Sequence, residues 1–503
     1  MCNIWFIQRP GLCYYGVVKR NDSFISTYPL PGVLLFLILA FASIGFALIT
    51  GAPQALEAVQ DKAVLLQLAD SLCLATACTL VSLLFGLGGA RMLAKGTFPL
   101  PGLMKWLSCI LTLVPSFFIR LSFSILPLPP FGKPWIWEGV VLALFSVPAV
   151  VFILGSFLAR LDSEPEQCAL SLKTPSGRVR RTISRPRRTG AAAAAGLYVF
   201  VRCLAYTGAR FAFGTSLFAA TDAICTIVGI LVVIPAALCS DRAMKSAGKG
   251  GAGAEEKPSS AAKVIAVLYE VLSFAVFDGP LVLMALKSVR SEGKFSFTAY
   301  TALFRTLFAP GTRPFICTLI LLSSVLISML IALRTSRGAA DSPFILAIAL
   351  LPLAAGPSAV GSGMRAVFSY IPQVPLIVPG ILAHTVIEIP FMTLILVPAV
   401  RRVPQTLRQA SMSLGYSESR SFAKIDRKIL APHIGCACCV GAVISLSDFS
   451  AAFSCGLLSV PVQIHNLTSS GDMQSACALG FILTVVCLLL VSAGRSMMWK
   501  SHV

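Results

Sequence analysis

The chain has 503 residues, of which 56% are hydrophobic and 12% are charged, about half of the roughly 25% charged residues usual in soluble domains. The mean hydropathy is +0.83. These values exclude a water-soluble globular protein and a disordered chain, because neither could carry so much apolar surface. The composition predicts an all-α polytopic membrane protein, since helices satisfy their own backbone polar groups inside a bilayer.

A spanning helix needs about 20 mostly apolar residues, and twelve stretches of the sequence meet that need. The predicted spans are 31–50, 67–90, 103–126, 136–159, 190–213, 217–240, 263–286, 314–334, 343–369, 376–400, 432–457 and 475–496. The segment 1–30 before them is long for a secretory signal and has no clear cleavage site after the first apolar stretch. We therefore expect the first apolar stretch to be a retained helix and 1–30 to be a cytoplasmic segment.

The net charge of +20 comes from 41 Lys and Arg residues against 21 Asp and Glu residues. The basic residues lie mainly between the apolar stretches, which is typical of cytoplasmic membrane loops rather than of nucleic-acid binding. With twelve spans and both termini inside, segments 91–105, 160–188 and 401–428 face the cytoplasm. Segment 287–313 is also basic but falls outside, so either this longer loop escapes the rule or a nearby span is miscounted.

The Gly-, Ser- and Ala-rich segment 241–262 predicts a flexible cytoplasmic linker. It separates a first half, 31–240, from a second half, 263–503, with six predicted spans in each. An even number of spans per half makes the halves parallel, so equivalent loops emerge on one side of the membrane, whereas an odd number would invert the second half.

Two basic loops, 161–188 and 401–431, match when the chain is shifted by 242 residues without gaps. Each contains a short helix start, Ser-Leu, basic residues, an isoleucine and a proline. Matched positions include Gln167 with Gln409, Ser171-Leu172 with Ser413-Leu414, Arg178 with Arg420, and Ile183 with Ile425. Two such loops about an axis along the membrane normal would suit a symmetric dimeric partner.

The segments Gln-Cys-Ala-Leu-Ser-Leu-Lys at 167–173 and Gln-Ala-Ser-Met-Ser-Leu-Gly at 409–415 resemble the EAA loop of ABC importer permeases. The resemblance covers 66–240 and 265–498 and is closest to the fused two-repeat permeases of thiamine and ferric-iron importers. The family glutamate is a glutamine in both copies, and the family glycine is Lys173 in the first copy. We therefore expect the first loop to dock less tightly than the second.

The resemblance implies two parallel six-helix repeats, each with a cytoplasmic coupling helix, in the bacterial cytoplasmic (inner) membrane. It implies a permease subunit for a small solute, thiamine before ferric iron, delivered by an external binding protein. A separate ATPase dimer would bind ATP, because this chain lacks a phosphate-binding loop. The implied coupling residues are Gln167, Ala169, Ser171, Leu172, Lys173, Pro186, Gln409, Ala410, Ser411, Leu414, Gly415 and Pro432.

Two of these residues have expected conformational roles. Gly415 would permit a sharp turn after the short helix, because glycine accepts backbone angles that other residues avoid. Pro432 would end the loop and begin the next span at its first turn, where its missing N–H is not needed.

Acidic residues inside spans are costly and are therefore candidates for the solute pathway. The candidates are Glu388, one turn after His384; Asp448, beyond the middle of the eleventh span; Asp222, near the start of the sixth; and Asp278, in the seventh. A cationic solute could use such groups. The other interpretation makes each a structural hydrogen-bond acceptor, and makes His384 with Glu388 a packing pair rather than a metal site.

Other chemistry has little support in the sequence. With four histidines, and neither a His-Glu-x-x-His motif nor a Ser-His-Asp set, an enzyme is not expected. The cluster Cys436, Cys438 and Cys439 lies in an apolar stretch, where cysteine acts as a small hydrophobe rather than a metal ligand. The alternative function is an ion-gradient-driven secondary transporter, for which the interruptions at Gly356-Pro357 and Gly361 are suitable but the parallel repeat is not.

Overall fold

A computed structural model describes residues 62–113, 134–159, 164–211, 218–246, 260–291, 294–308 and 313–500, with short helical pieces between 37 and 49. The predicted segment 1–30 lies outside the described residues. So do part of the first span, the second half of the span at 103–126 and most of the linker.

The described part of the first half consists of helices joined by turns. They are α1 (Lys62–Ala94), α2 (Pro101–Leu113), α3 (Pro134–Leu158), α4 (Glu164–Ser171), α5 (Ser176–Val179), α6 (Arg185–Phe211) and α7 (Phe218–Ser246). A π-helical turn, Arg180–Ser184, joins α5 to α6. Helices α1 and α3 approach closely where Gly86 faces Val150 and Gly155 faces Leu93, as small residues permit in membrane helix packing.

The second half continues the helical pattern and adds a hairpin of two-residue strands. Its helices are α8 (Ser260–Ser273), α9 (Gly279–Ser288), α10 (Thr298–Phe308), α11 (Arg313–Leu321), α12 (Ser324–Asp341), α13 (Pro343–Leu350), α14 (Pro357–Ser369), α15 (Ile377–Arg402), α16 (Gln405–Ser413), α17 (Glu418–Ser421), α18 (Arg427–Ser447), α19 (Ser450–Ser454), α20 (Val460–Ser469) and α21 (Met473–Lys500). The π-helical turns Phe274–Asp278 and Phe422–Asp426 precede α9 and α18. Strands β1 (Arg290–Ser291) and β2 (Lys294–Phe295) pair antiparallel.

Among the described residues, seven helices are long and apolar enough to cross a membrane. They are Leu68–Ala94, Ile224–Lys245, Ser260–Ser288, Pro314–Asp341, Ile377–Arg402, Lys424–Ser447 and Met473–Met497. The protein is therefore an all-α polytopic membrane protein. The predicted spans 136–159 and 190–213 coincide with the long helices α3 and α6, but these are not among the seven, and the total of twelve stays a prediction.

One predicted span was wrong as drawn. Residues 343–369 do not form one straight helix, because Pro343–Leu353 and Pro357–Ser369 meet at 86°. Pro357 opens the second piece at its first turn, where proline fits, and Gly356 before it has an extended ψ of 149° that ends the helical path. Counting the bent pair as one span raises the number to eight.

The two matched loops lie at one end of the helix bundle. Thr189 at the start of α6 lines the same cleft as Cys239 at the end of α7. Asp241, also at the end of α7, forms an ion pair with Arg401 at the end of α15. Because α6 begins at the first loop and α15 ends at the second, both loops emerge at that end.

The described residues of the basic segment 287–313 lie at the opposite end. Gln474, at the start of α21, donates from Nε2 to the Ser288 carbonyl at 3.5 Å. The other end of α21 lies near the loops, where Met497 packs on Gly435. Ala299 and Leu303 of α10 pack into the same core as the start of α21. The described part of 287–313 is thus separated from the two loops by the length of a span.

The two halves interlock. Tyr269 of α8, in the second half, donates its hydroxyl to the Phe85 carbonyl of α1 at 3.3 Å, and its ring lies against Gly89. In the other direction, Gly229 of α7 lies against the Ala354 backbone at the break between α13 and α14. A helix of each half therefore packs on the other half.

This arrangement predicts labelling from one side. Leu172→Cys and Leu414→Cys, at exposed positions, should react with a membrane-impermeant maleimide only from the face bearing the loops, and Phe297→Cys only from the other face. The background should carry serine at the exposed Cys73 and Cys168. The buried control Leu346→Cys should stay unlabelled from both faces. Labelling of 172 and 414 from opposite faces would contradict the fold.

Candidate functional site

The two matched loops fold into the same turn. After α4, Lys173 donates its N–H to Leu170 (2.9 Å) and Thr174 donates to Ala169 (3.1 Å). After α16, Gly415 donates to Met412 (3.0 Å) and Tyr416 donates to Ser411 (3.2 Å). Both are the paired backbone bonds of a Schellman helix end, which requires a residue in the left-handed region.

Lys173 and Gly415 are the residues in that region, with φ of 57° and 80°. The expected role of Gly415 in a sharp turn is therefore confirmed by its geometry. Lys173 adopts the same conformation, although residues with a Cβ usually avoid the left-handed region. The conformation costs such a residue roughly 1–2 kcal/mol. Among the described residues, Lys173 is the one non-glycine with a positive φ, so the first loop forms this turn without a glycine.

The elements after each turn also correspond. The short helices α5 and α17, the π-helical turns, and the starts of α6 and α18 fall at positions 242 residues apart. Ser171 and Ser413, also 242 apart, each donate a hydroxyl to a carbonyl three residues back at 2.8 Å.

Large apolar side chains project from both turns. Leu172 is 80% exposed and Leu414 is 78% exposed, and two residues earlier Leu170 and Met412 are 49% and 48% exposed. The bundle end at which they lie also carries the basic loops, where a bilayer would not cover them. Exposed apolar groups of this size indicate a contact surface.

The other predicted coupling residues divide by exposure. Exposed positions are Gln167, Ser171, Lys173, Pro186, Gln409, Ala410 and Gly415, while Ala169 is partly buried. Ser411 is buried and bonds the Ser421 hydroxyl, which ties α16 to α17. Ser411 therefore holds the loop together and does not face a partner.

The prediction for Pro432 was wrong. It lies inside α18, which begins five residues earlier at Arg427, rather than at the first turn of a span. The π-helical turn Phe422–Asp426 runs directly into α18, so the helical path is continuous from the loop into the span. Pro186 differs, because it is the second residue of α6.

A second candidate site is a buried polar cluster around Glu388, in the middle of α15. Ser324 and Ser328, one turn apart on α12, each donate a hydroxyl to one Glu388 oxygen at 2.6 Å. The side chains are fully buried. A Cβ placed on Gly441 of α18 would lie 3.7 Å from a Glu388 oxygen. The backbone of α18 therefore passes close to the carboxyl group.

His384 and Asp448 extend this cluster. Ser445 lies 3.3 Å from His384 Nδ1 and 3.5 Å from the Ser324 hydroxyl. His384 Nε2 is 3.8 Å from an Asp448 oxygen. His384 and Glu388 therefore share a face of α15, but serines bridge them and their shared cluster joins α12, α15 and α18.

The position predicted for Asp448 was wrong. It follows Ser447, the last residue of α18, instead of lying inside the span. Its carboxylate accepts the N–H groups of Ala451 (2.9 Å) and Ala452 (3.4 Å), as an acidic group at a helix start commonly does. That capping begins α19 and ends the span early.

The remaining acidic candidates lie away from this cluster in the chain. Asp222 is in the second turn of α7, and Asp278 ends the π-helical turn before α9. Their side chains lie outside the described part of the structure.

The first half holds a neutral counterpart of the Glu388 cluster. Shifting by 242 residues places Ser82 on Ser324, Ser146 on Glu388 and Cys203 on Ser445. Ser82 donates to the Ala143 carbonyl at 3.0 Å, and Cys203 is in hydrogen-bond contact with Ser146. Three helices thus meet through polar groups in each half, and the second half alone has an acidic residue at these matched positions.

Sequence reasoning found Glu388 and missed its serine partners. The signal was present, because Ser324 and Ser328 are one helical turn apart and the 242-residue shift aligns polar residues on three spans. No group of three or more His, Cys, Asp or Glu side chains able to hold a metal ion occurs among the described residues.

A scan of the chain against protein-family models finds no match, and a search of curated proteins finds none either. The loops and the buried cluster are therefore the basis on which a function is assigned.

The cluster predicts unequal effects of serine substitutions in the two halves. Ser324→Ala with Ser328→Ala removes both hydroxyl donors of Glu388 and should lower the free energy of unfolding by about 2–5 kcal/mol, since each orphaned buried group costs about 1–3 kcal/mol. Ser82→Ala with Ser146→Ala should cost less, because the carbonyls these serines contact keep their helical bonds. Thermal unfolding in detergent would measure this, and equal losses would refute the role of the carboxyl group.

Proposed function

We propose that the chain is the transmembrane permease subunit of an ABC importer in a bacterial cytoplasmic membrane. The observation that carries the proposal is the pair of matching loops at one end of the bundle, each with the same turn and the same exposed apolar side chains. Two equal protrusions suit a partner with two equal grooves, such as an ATPase dimer. ATP would be bound by that dimer, since no phosphate-binding loop is found in this chain.

The loop structure supports a mechanical role. The short helices α4 and α16 are each attached to spans on both sides, so a partner that grips them would move the spans as near-rigid bodies. Closure of the ATPase dimer would then switch the bundle between inward-open and outward-open arrangements. The arginines around the loops would steer acidic groups on the partner and fix the docking register.

Two parallel six-helix repeats are part of this proposal. It is supported by the emergence of both loops at one end and by the polar clusters that match at a spacing of 242 residues. The solute would be small and cationic, with thiamine favoured and ferric iron next, and an external binding protein would deliver it. Glu388 is the group that we assign to a cationic solute, because acidic residues inside spans are costly and commonly mark a solute pathway.

One observation favours a second candidate, an ion-gradient-driven secondary transporter. The broken helix pair α13 and α14, beside a buried acidic cluster, is typical of such transporters. The two functions differ in energy source. Uptake into vesicles that requires ATP and co-reconstituted ATPase subunits supports the first, whereas uptake by this chain alone under a proton gradient would eliminate it.

Substitution in the second loop tests docking. Gly415→Asp places a Cβ at φ +80°, which costs roughly 1–2 kcal/mol and disturbs the turn that presents Leu414. We expect uptake to fall about 5- to 30-fold, which is the factor that this energy represents at a docking contact, with the chain still in the membrane. Ala410→Arg should act in the same way by blocking close approach.

Gly96→Asp is the matched control, because Gly96 has φ +63° with open space around it and lies outside both loops. It should retain uptake and ATPase co-purification. Normal uptake by Gly415→Asp, with the ATPase recovered at wild-type yield, would refute the docking role. If no ATPase co-purifies with the wild-type chain, the proposed function itself fails.

Glu388→Gln tests the cationic solute. The amide keeps a hydrogen-bonding group for Ser324 and Ser328 but removes the acidic group, so the protein should fold while uptake of thiamine falls several-fold. Ser146→Gln, at the matched position of the first half, is the control and should affect uptake less. Unchanged thiamine uptake by Glu388→Gln would exclude this residue from the pathway.

A further inference from the structure

One ion pair joins the halves beside the second loop. Asp241, near the end of α7 in the first half, accepts a hydrogen bond from Nη2 of Arg401, the residue before the last of α15 in the second half. Lys245 also contacts Asp241, at 2.7 Å, but its side chain is 54% exposed. The Asp241 and Arg401 side chains are mostly buried.

Arg401 holds a third helix as well. Its Nε donates to the Ala340 carbonyl at 2.9 Å, and its Nη2 donates to the Ala339 carbonyl at 3.3 Å. These carbonyls are at the end of α12, where helix C-termini attract positive charge. One guanidinium therefore fixes the ends of α7, α12 and α15 relative to one another.

The burial of the pair gives it more effect than a surface ion pair. An exposed pair is worth little because water and salt screen it. Removal of Asp241 would leave the Arg401 charge mostly buried without its carboxylate, which is strongly unfavourable, whereas removal of Arg401 would leave Asp241 with Lys245, whose side chain is 54% exposed. The planar guanidinium group of the arginine fixes the direction of its hydrogen bonds as well as their length.

The position of Arg401 connects it to the second loop. Three residues separate it from Gln405, where α16 begins, and Val403 among them is buried. A displacement of α16 would therefore be carried to the guanidinium over a short link. On the other side, α7 also packs through Gly229 on Ala354 at the break between α13 and α14, and it shares an apolar core with α13.

The first loop differs at the position that matches Arg401. The residue 242 positions before Arg401 is Ala159, at the corresponding end of α3. An alanine there cannot form a charged contact with the other half. Within the part of the chain that the structure describes, which leaves out 160–163, the charged link therefore lies beside the second loop, the one with Gly415.

We propose that Arg401 is a positioning residue that transmits movement of the second loop through Asp241 to α7, and so to the first half. This inference rests on the proposed function, because the movement would come from the ATPase partner. In this arrangement, movement of the second loop displaces both halves. The first loop, which is strained at Lys173, moves in response.

A double-mutant cycle tests the link. Asp241→Asn, Arg401→Gln and the double variant would be purified with the ATPase and reconstituted, and solute uptake would be measured per ATP hydrolysed. Each single variant should lower the uptake per ATP at least ~5-fold, while ATP hydrolysis stays within ~2-fold of wild type. The double variant should have an uptake per ATP no lower than that of the more impaired single variant, because the same link is lost in all three.

Two further variants complete the design. Asp241→Glu retains the carboxylate and should recover most of the uptake per ATP. Lys245→Gln removes the exposed neighbour of Asp241 and should match the wild type. Losses that multiply in the double variant, or a parallel loss of ATP hydrolysis and folded protein without recovery in Asp241→Glu, would overturn the proposal.

A measurement on the chain alone separates this proposal from the proposed function. Thermal unfolding in detergent should show the same non-additive pattern for Asp241→Asn and Arg401→Gln without any ATPase. If the pattern is present but no ATPase binds the wild-type chain, the permease proposal fails while the link between the halves stands. If the two losses add, the link fails whatever the partner is.

Discussion

The structure depends on one constraint, that a bilayer interior offers no water to backbone N–H and C=O groups. Long apolar helices meet it by bonding internally, and an interruption of a helix inside the bundle must be covered by protein. The break between α13 and α14 shows this, since Gly229 packs on the Ala354 backbone and Gly361 packs on Ala451. Glycine at those two contacts allows a helix to cover exposed backbone directly, so the break is enclosed by protein rather than by lipid.

Much of the fold could be predicted from the sequence because span length and loop charge are local properties. The apolar stretches gave helices, and the shift of 242 residues identified loops that adopt the same turn. Local patterns could not predict how backbone bonds end a helix. Asp448 caps the next helix and so ends the span early, and Pro432 falls inside a helix that a π-helical turn has already begun. Each outcome depends on neighbours several residues away.

The candidate site shows the same division. Glu388 could be found because an acidic residue in an apolar stretch is conspicuous. The spacing of Ser324 and Ser328 by one helical turn marks them as a pair, but only the packed helices show that Glu388 is their partner, since the contact joins α12 to α15 across 60 or more positions of sequence. Similarly, Asp241 and Arg401 are 160 positions apart, and no sequence pattern around either residue predicts their contact. Long-range polar contacts of this kind are set by packing.

The matched polar groups of the two halves differ in charge. Ser82, Ser146 and Cys203 are neutral, whereas Ser324, Glu388 and Ser445 include an acidic group at the corresponding place. In the proposed permease, a solute passing between the halves would therefore meet an acidic group on one side only. A solute with an uneven charge distribution would be held in one preferred orientation, a form of selectivity that two identical halves could not provide.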